Sequence, residues 1–429
     1  MPSAHDLARW PALDAPAKRA RLHNTFRLSP GPLLDTLRAH TEEAERALAG
    51  LWRRDASVWS DAADVQQIVL NRLGWLASPF LMADALDRLL TFAASVKRDG
   101  FTDVVLLGMG GSSLAPEVLR AVLGVAPEWP RLHMLDSTDP AAVRAAGTPP
   151  KQTLYVLASK SGTTIEPNVL AAHFRKALQD AGILRWADHF VAITDEGTEL
   201  ARRARAEGFR DLFINPSDIG GRYSALSFFG LVPAALMGQN LAALVGWAIA
   251  MLSASEPGLG SAWTNPSVAL GLAIGGAARA GRDKLTLILP AALEPFGLWV
   301  EQLIAESTGK RGTGIIPIAG EKLAEPAKYG HDRFFVRRRK CATPTSATSR
   351  PLTCRSPRSS CRSRPRSAPS SCAGRSPPRS PARCCTSTRS TSRTCSKPRM
   401  RRERCWLATS QRVICRSRQP IAASTAGRP

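Results

Sequence analysis

The sequence predicts an α/β fold: a doubly wound parallel sheet, then an incomplete second α/β unit, then a disordered basic tail. Three observations carry this expectation. Short apolar runs alternate with helical patterns, two of the runs end in loops of glycine and small hydroxyl residues, and the composition breaks abruptly near residue 337.

Strand-like runs recur near 103–107, 132–135, 153–158, 189–194 and 211–215, with helical patterns at 164–181 and 197–207 between them. Strands separated by helices pair in parallel, and such sheets bind ligands beyond the carboxyl ends of their strands. Leu231 to Ala254 is the most apolar stretch, yet Gln239 and Asn240 interrupt it, so buried helices within 222–253 explain it better than a membrane span. A second unit then begins with a helix over 265–281, a strand over 284–289, a helix over 296–308 and a further strand over 314–318. The alternation stops there. An unfinished sheet exposes apolar surface and an unpaired strand edge.

The chain holds 429 residues with a formal charge of +23, but positions 341–429 carry 20 of its 58 Lys and Arg residues and a single acidic residue, Glu403. All nine cysteines lie from Cys341 onward, Trp406 is the only aromatic there, and Ser, Arg and Pro fill 48 of those 89 positions. Such a segment buries too little apolar surface to offset ordering entropy, so disorder is expected. Three readings of it stand: a basic arm that attracts nucleic acid, a cysteine segment for metal or disulfides, and out-of-frame translation of a G+C-rich gene. The lack of paired C-x-x-C spacing weakens the second, and the abrupt change at Val336–Lys340 favours the third. Residues 1–336 contain no cysteine and Met1–Asp6 lacks a signal pattern, which predicts a cytoplasmic location.

The most informative stretch is Ser159-Lys160-Ser161-Gly162-Thr163-Thr164, which follows the apolar run 153–158. Its hydroxyls and free backbone N–H groups suit a phosphate dianion, and the helix beginning at Thr164-Ile165-Glu166-Pro167 would aim its positive end at that dianion. Each such bond to a charged group contributes roughly 1.5–3 kcal/mol. An ordinary Ser/Thr cap is the alternative, but a cap needs one hydroxyl and not four. Upstream, Gly108-Met109-Gly110-Gly111-Ser112-Ser113 ends another strand, with glycines for close backbone approach and Ser112 and Ser113 as donors. A dinucleotide fingerprint competes here, with Asp136 as its acidic residue, but Ser113 stands where the third glycine belongs.

Two further motifs suggest chemistry. In Asn215–Ser224, Gly220 and Gly221 form a turn and Arg222 opens the next helix. An arginine there opposes the macrodipole, a cost that facing an anionic ligand or transition state would explain; a surface Arg packing its stem is the alternative. In Glu301–Lys310, Gln302 and Glu306 lie four apart on one helix face. Proximity to the helix C-terminus is expected to raise the Glu306 pKa toward a useful general-base value; a solvated glutamate is the alternative.

Taken together, Gly108–Ser113, Ser159–Pro167, Gly220–Ser224 and Gln302–Lys310 resemble, in the same order, signatures of the glucose-6-phosphate isomerase family, whose fold is a pair of sugar-isomerase (SIS) domains. Trp52–Ser60 and Asn71–Leu76 look like the isomerase half of bacterial transaldolase/phosphoglucose isomerase fusions; the resemblance spans roughly 45–336. It implies a leader or linker remnant at 1–45, a first SIS domain at 46–255, the start of a second at 256–336 and a tail at 337–429. It also implies that Ser112, Ser159, Lys160, Ser161 and Thr164 hold the phosphate of a hexose 6-phosphate. Glu306 would move a proton between C1 and C2, Arg222 would stabilise the cis-enediol(ate), and Gln302 would orient substrate oxygens. The loop glycines are Gly108, Gly110, Gly111, Gly162, Gly220 and Gly221.

No metal or redox cofactor is implied; a homodimer is expected, with no membrane partner and nucleic acid only through the tail. The family's ring-opening histidine, from a neighbouring subunit, and its near-C-terminal lysine have no match, since nothing from Arg337 onward follows the pattern. Neither His331 nor Lys397 is assigned to them, and weak or absent activity is expected. A non-catalytic SIS-type sugar-phosphate sensor and a nicotinamide-dependent dehydrogenase are the competing functions.

Overall fold

The computed structural model describes residues 15–25, 27–337 and 412–414. Its strands are β1 (Arg27–Ser29), β2 (Asp103–Gly108), β3 (Arg131–Leu135), β4 (Thr153–Ala158), β5 (Phe190–Asp195), β6 (Asp211–Asn215), β7 (Lys284–Ile288), β8 (Ile316–Ile318), β9 (Arg333–Arg337) and β10 (Arg412–Ile414).

β2, β4 and β5 are buried at every position, as strands covered on both faces must be. They form the centre of an all-parallel sheet in the order β3-β2-β4-β5-β6. Alternate side chains serve two cores. Val104, Leu106, Val156 and Ile193 pack with the helices Leu86–Arg98, Leu114–Leu123 and Phe228–Leu236 on one face. Val105, Leu107, Tyr155 and Phe190 pack with Ile165–Asp180 and Glu199–Glu207 on the other. Each fully buried aliphatic side chain stabilises the fold by roughly 1.5–3 kcal/mol relative to exposure. The expected doubly wound sheet is present.

Edge strand β3 is pinned at the amino end of β2. The fully buried Asp103 carboxylate accepts two bonds from Arg131 (2.9 Å each), one from Thr102 (2.8 Å) and one from His133 Nε2 (2.7 Å).

The apolar stretch 231–254 is divided as expected, between Phe228–Leu236 and Leu241–Ala254. No described helix is long and apolar enough to cross a membrane. Leu22, from the helix Ala15–Thr25, is buried against Trp247 and Ala250.

The second sheet runs β1-β10-β9-β7-β8, with β7 parallel to both β8 and β9. Leu285 and Phe334 face a core shared with Leu33, Leu37 and the helix Pro266–Arg279. This sheet is far less covered than the first: one position of β8 and one of β9 are buried, and Leu298, Ile316 and Leu323 are 49, 51 and 60% exposed. β9 was not anticipated from the sequence. The tail contributes β10, antiparallel to β9 and parallel to β1. Its other residues, 338–411 and 415–429, lie outside those described, together with the readings of the tail's cysteines and of Lys397.

Candidate active site

The carboxyl ends of β2, β4 and β5 open into a cavity of about 550 Å³, lined by Ser112, Ser159, Lys160, Ser161 and Thr164 among others. All five phosphate-loop residues expected from the sequence therefore line one space. After β4, Ser159 Oγ lies 3.1 Å from Thr164 Oγ1 and accepts from Gly162 N (3.2 Å), while Ser161 Oγ pairs with Thr163 Oγ1 (2.9 Å). Gly162 adopts φ +71°, and a Cβ there would meet Leu200 N at 2.9 Å, so only glycine turns the loop here. The helix begins at Ile165, and Thr164 precedes it without making a capping bond through its side chain. The simple cap reading is excluded, and the Thr164 hydroxyl faces Ser159 instead.

The loop after β2 divides its labour. Ser112 lines the cavity, but Ser113 is buried and donates to Gly110 O (3.1 Å), so its expected donor role is not open to a ligand. Gly108 ends β2 against Ala158 O, and Gly110 turns at φ +53°. Gly111 lies backbone-to-backbone on Gly221: a Cβ on Gly111 would stand 2.4 Å from Gly221 O. Ser224 Oγ, within reach of Gly111 O (3.2 Å) and Gly221 O (2.7 Å), ties the two turns together. Gly220 sits beside Arg72 and Tyr223.

Arg222 lies in a 3₁₀ turn, Gly221–Leu226, and not at the start of an α-helix, so the expected conflict with a macrodipole does not arise. Its Nη1 donates to Glu306 Oε2 at 2.5 Å and its Nε to Ser307 Oγ at 3.3 Å. Gln302 Nε2 donates to Glu306 Oε1 at 3.1 Å, and the same nitrogen lies 3.2 Å from where a Cβ on Gly110 would be. Gln302 Oε1 is buried without a hydrogen-bond partner among the described residues. Glu306, Gln302, Arg222 and the glycine turns at 110–111 and 220–221 thus form one continuous cluster beside the phosphate-loop cavity.

Electrostatics overturn one expectation. The Glu306 carboxyl is held below the usual glutamate range, chiefly by the Arg222 hydrogen bond, with burial opposing and Gln302 assisting. The helix C-terminus was expected to raise it, but a guanidinium in direct contact outweighs a terminal dipole on a half-exposed group. Glu306 is therefore a carboxylate at neutral pH.

The cavity also holds residues that sequence reasoning did not assign. Asn71 and Arg72 reach it because their segment is bound to the 216–219 loop through Gly74 N to Asp218 O (3.0 Å) and a Leu73–Ile219 bridge. Asp195, at the end of β5, pairs with Lys160 Nζ, which also donates to Ser217 O at 2.8 Å. Burial pushes the Asp195 carboxyl up, only partly offset by Lys160. The signal for this residue was present: Thr194-Asp195-Glu196-Gly197-Thr198 ends a strand in the same polar, glycine-bearing way as the two loops singled out.

The family model described as phosphoglucose isomerase matches residues 92–313. A glucose-6-phosphate isomerase of Cyanothece sp. (strain PCC 7425 / ATCC 29141) is 35% identical over 262 residues, covering 55% of this chain and 48% of that protein. One of Citrifermentans bemidjiense is 34% identical over 280 residues, covering 60% and 52%. Among solved structures, a hypothetical protein from Thermus thermophilus superposes with a TM-score of 0.55 at 26% identity, over 71% of this chain and 72% of that one. The chain spans about half the length of the curated relatives it matches.

Proposed function

The chain belongs to the phosphoglucose isomerase family, and from that premise we propose that it interconverts glucose 6-phosphate and fructose 6-phosphate. The phosphate would occupy the cavity at Ser112, Ser159, Lys160, Ser161 and Thr164, with the open-chain carbons directed toward Glu306. The observation that carries this reading is the meeting of Glu306, Gln302 and Arg222, drawn from two distant segments, at the glycine turn beside that cavity.

The chemistry is a proton transfer within one molecule. Glu306, already ionised, takes the C2 proton of the open-chain aldose. The C–H electrons form the C1–C2 double bond and the carbonyl electrons move onto O1, giving a cis-enediolate. Arg222 faces that charge, and the incoming sugar oxygen replaces Glu306 on its guanidinium, which frees the base. Return of the proton to C1, with the hydroxyl proton passing from O2 to O1, yields the ketose with no atom gained or lost. Gln302, whose buried Oε1 has no partner among the described residues, orients substrate hydroxyls.

A homodimer in the cytoplasm, with SIS-type units at 46–255 and 256–336, completes the proposal. A sugar-phosphate sensor would need no base, so Glu306→Gln separates the readings. The low turnover expected of this chain, which lacks a match to the family's ring-opening histidine and near-C-terminal lysine, should fall further by about 10²–10⁴-fold, while calorimetric binding of fructose 6-phosphate is retained. Unchanged turnover in that variant would refute the assignment of Glu306.

A further inference from the structure

The wall of the phosphate cavity contains a buried carboxylate that the proton-transfer scheme does not use. Asp195 is 8% exposed, lies at the carboxyl end of β5 and lines the cavity. Two hydrogen bonds tie it to Lys160, and Thr194 braces the same Lys160 carbonyl. Its N–H donates to Lys160 O (3.3 Å), Thr194 Oγ1 donates to the same carbonyl (3.3 Å), and its Oδ2 accepts from Lys160 Nζ. Its Oδ1 is buried without a hydrogen-bond partner among the described residues.

Lysine is a point charge on a long flexible stem, with three donors and many rotamers. Here two of the three donors are spent, on Asp195 Oδ2 and Ser217 O, and the ammonium is held where the cavity needs its charge. The third N–H is then left for a ligand. An anionic neighbour at a phosphate site weakens binding by repulsion unless it gives something in return. The geometry points to what it gives. We propose that Asp195 is the positioning residue of the phosphate site: it fixes Lys160 so that its remaining N–H is aimed at the phosphoryl oxygens. The inference rests on the phosphate-site reading above and adds a second layer to it.

The test is a double-mutant cycle in the full chain, with inorganic phosphate as the probe and binding followed by calorimetry at constant pH. Asp195→Asn keeps the shape and removes the charge; it should weaken phosphate binding about tenfold. Lys160→Met should weaken it at least as much, and the double variant should be no weaker than Lys160→Met alone, because Asp195 acts only through Lys160. Asp195→Glu keeps the charge and should recover part of the affinity that Asn loses, whereas a residue needed only for packing would favour isosteric Asn over longer Glu. Melting curves exclude loss of the fold. Should Lys160→Met not fold with an unpaired buried carboxylate left behind, the order of Asn and Glu still decides. Tighter phosphate binding by Asp195→Asn, additive losses in the cycle, or Asn outperforming Glu would each overturn the inference while leaving the site reading intact. Absence of phosphate binding by the unmodified chain would instead refute the site reading and the inference with it.

Discussion

Arg222 Nη1 lies 2.5 Å from Glu306 Oε2, joining a 3₁₀ turn that follows the first sheet to the helix Phe296–Thr308 across 84 positions of sequence. The contact stabilises the ionised form of Glu306, on the Phe296–Thr308 helix face that meets the glycine turns. The Glu306 pKa lies below its ordinary 4.5 because ionised Glu306 is the form that Arg222 stabilises. Replacing Arg222 with Met should move the Glu306 titration upward. Carbon-13 NMR of a glutamate-labelled chain measures this; an unmoved titration would mean that the pair does not form in solution.

The glycine turns make an asymmetric prediction. Gly111→Ala drives a Cβ to 2.4 Å from the Gly221 carbonyl, whereas a Cβ on Gly221 meets only Gly111 Cα at 4.0 Å. Gly111→Ala should therefore cost about 1–3 kcal/mol and weaken phosphate binding, as an overpacked contact does. Gly221→Ala should be close to neutral for stability. Thermal melts of the two variants, run side by side, decide it.

Asp103 ties β2 to β3. Burial alone would raise its pKa, but bonds from Arg131, His133 and Thr102 more than offset this and hold it below 3.8. A carboxyl with a depressed folded-state pKa stabilises fully above its unfolded value and loses that contribution as pH falls through the folded one. Asp103→Asn should thus cost roughly 1–3 kcal/mol at neutral pH, and the gap to the unmodified chain should shrink in acid. Denaturant melts across pH check the sign; a gap that widens in acid would contradict it.

The thinly covered second sheet predicts self-association. β8 is an edge strand and Ile316 on it is 51% exposed. Lysine is a usual blocker of such edges, so Ile316→Lys should lower concentration-dependent light scattering without changing the far-UV spectrum.

The first sheet was legible because β2, β4 and β5 are buried on both faces and so read as unbroken apolar runs ending in polar loops. β9 was not, since Arg333-Phe334-Phe335-Val336-Arg337 is short and runs straight into the basic segment. Ser159 and Glu306 could be singled out from the local pattern, and Lys160 from the family resemblance. The downward shift of the Glu306 pKa could not, because it comes from a partner distant in sequence. Arg72 escaped for the same reason: a lone charged residue at a segment end carries no periodic signal, and only tertiary contact brings it to the cavity. Asp195 did carry a local signal, in the polar glycine-bearing loop 194–198 that ends β5.

The central claim is that a carboxylate on the Phe296–Thr308 helix exchanges a carbon-bound proton of a phosphorylated hexose held at the β4 loop. Incubating the chain with saturating fructose 6-phosphate in D₂O and following the C1 protons by NMR tests it directly. Glu306-dependent deuterium incorporation at C1, lost in Glu306→Gln, is the predicted result. No incorporation by a chain that demonstrably binds the sugar phosphate would contradict it.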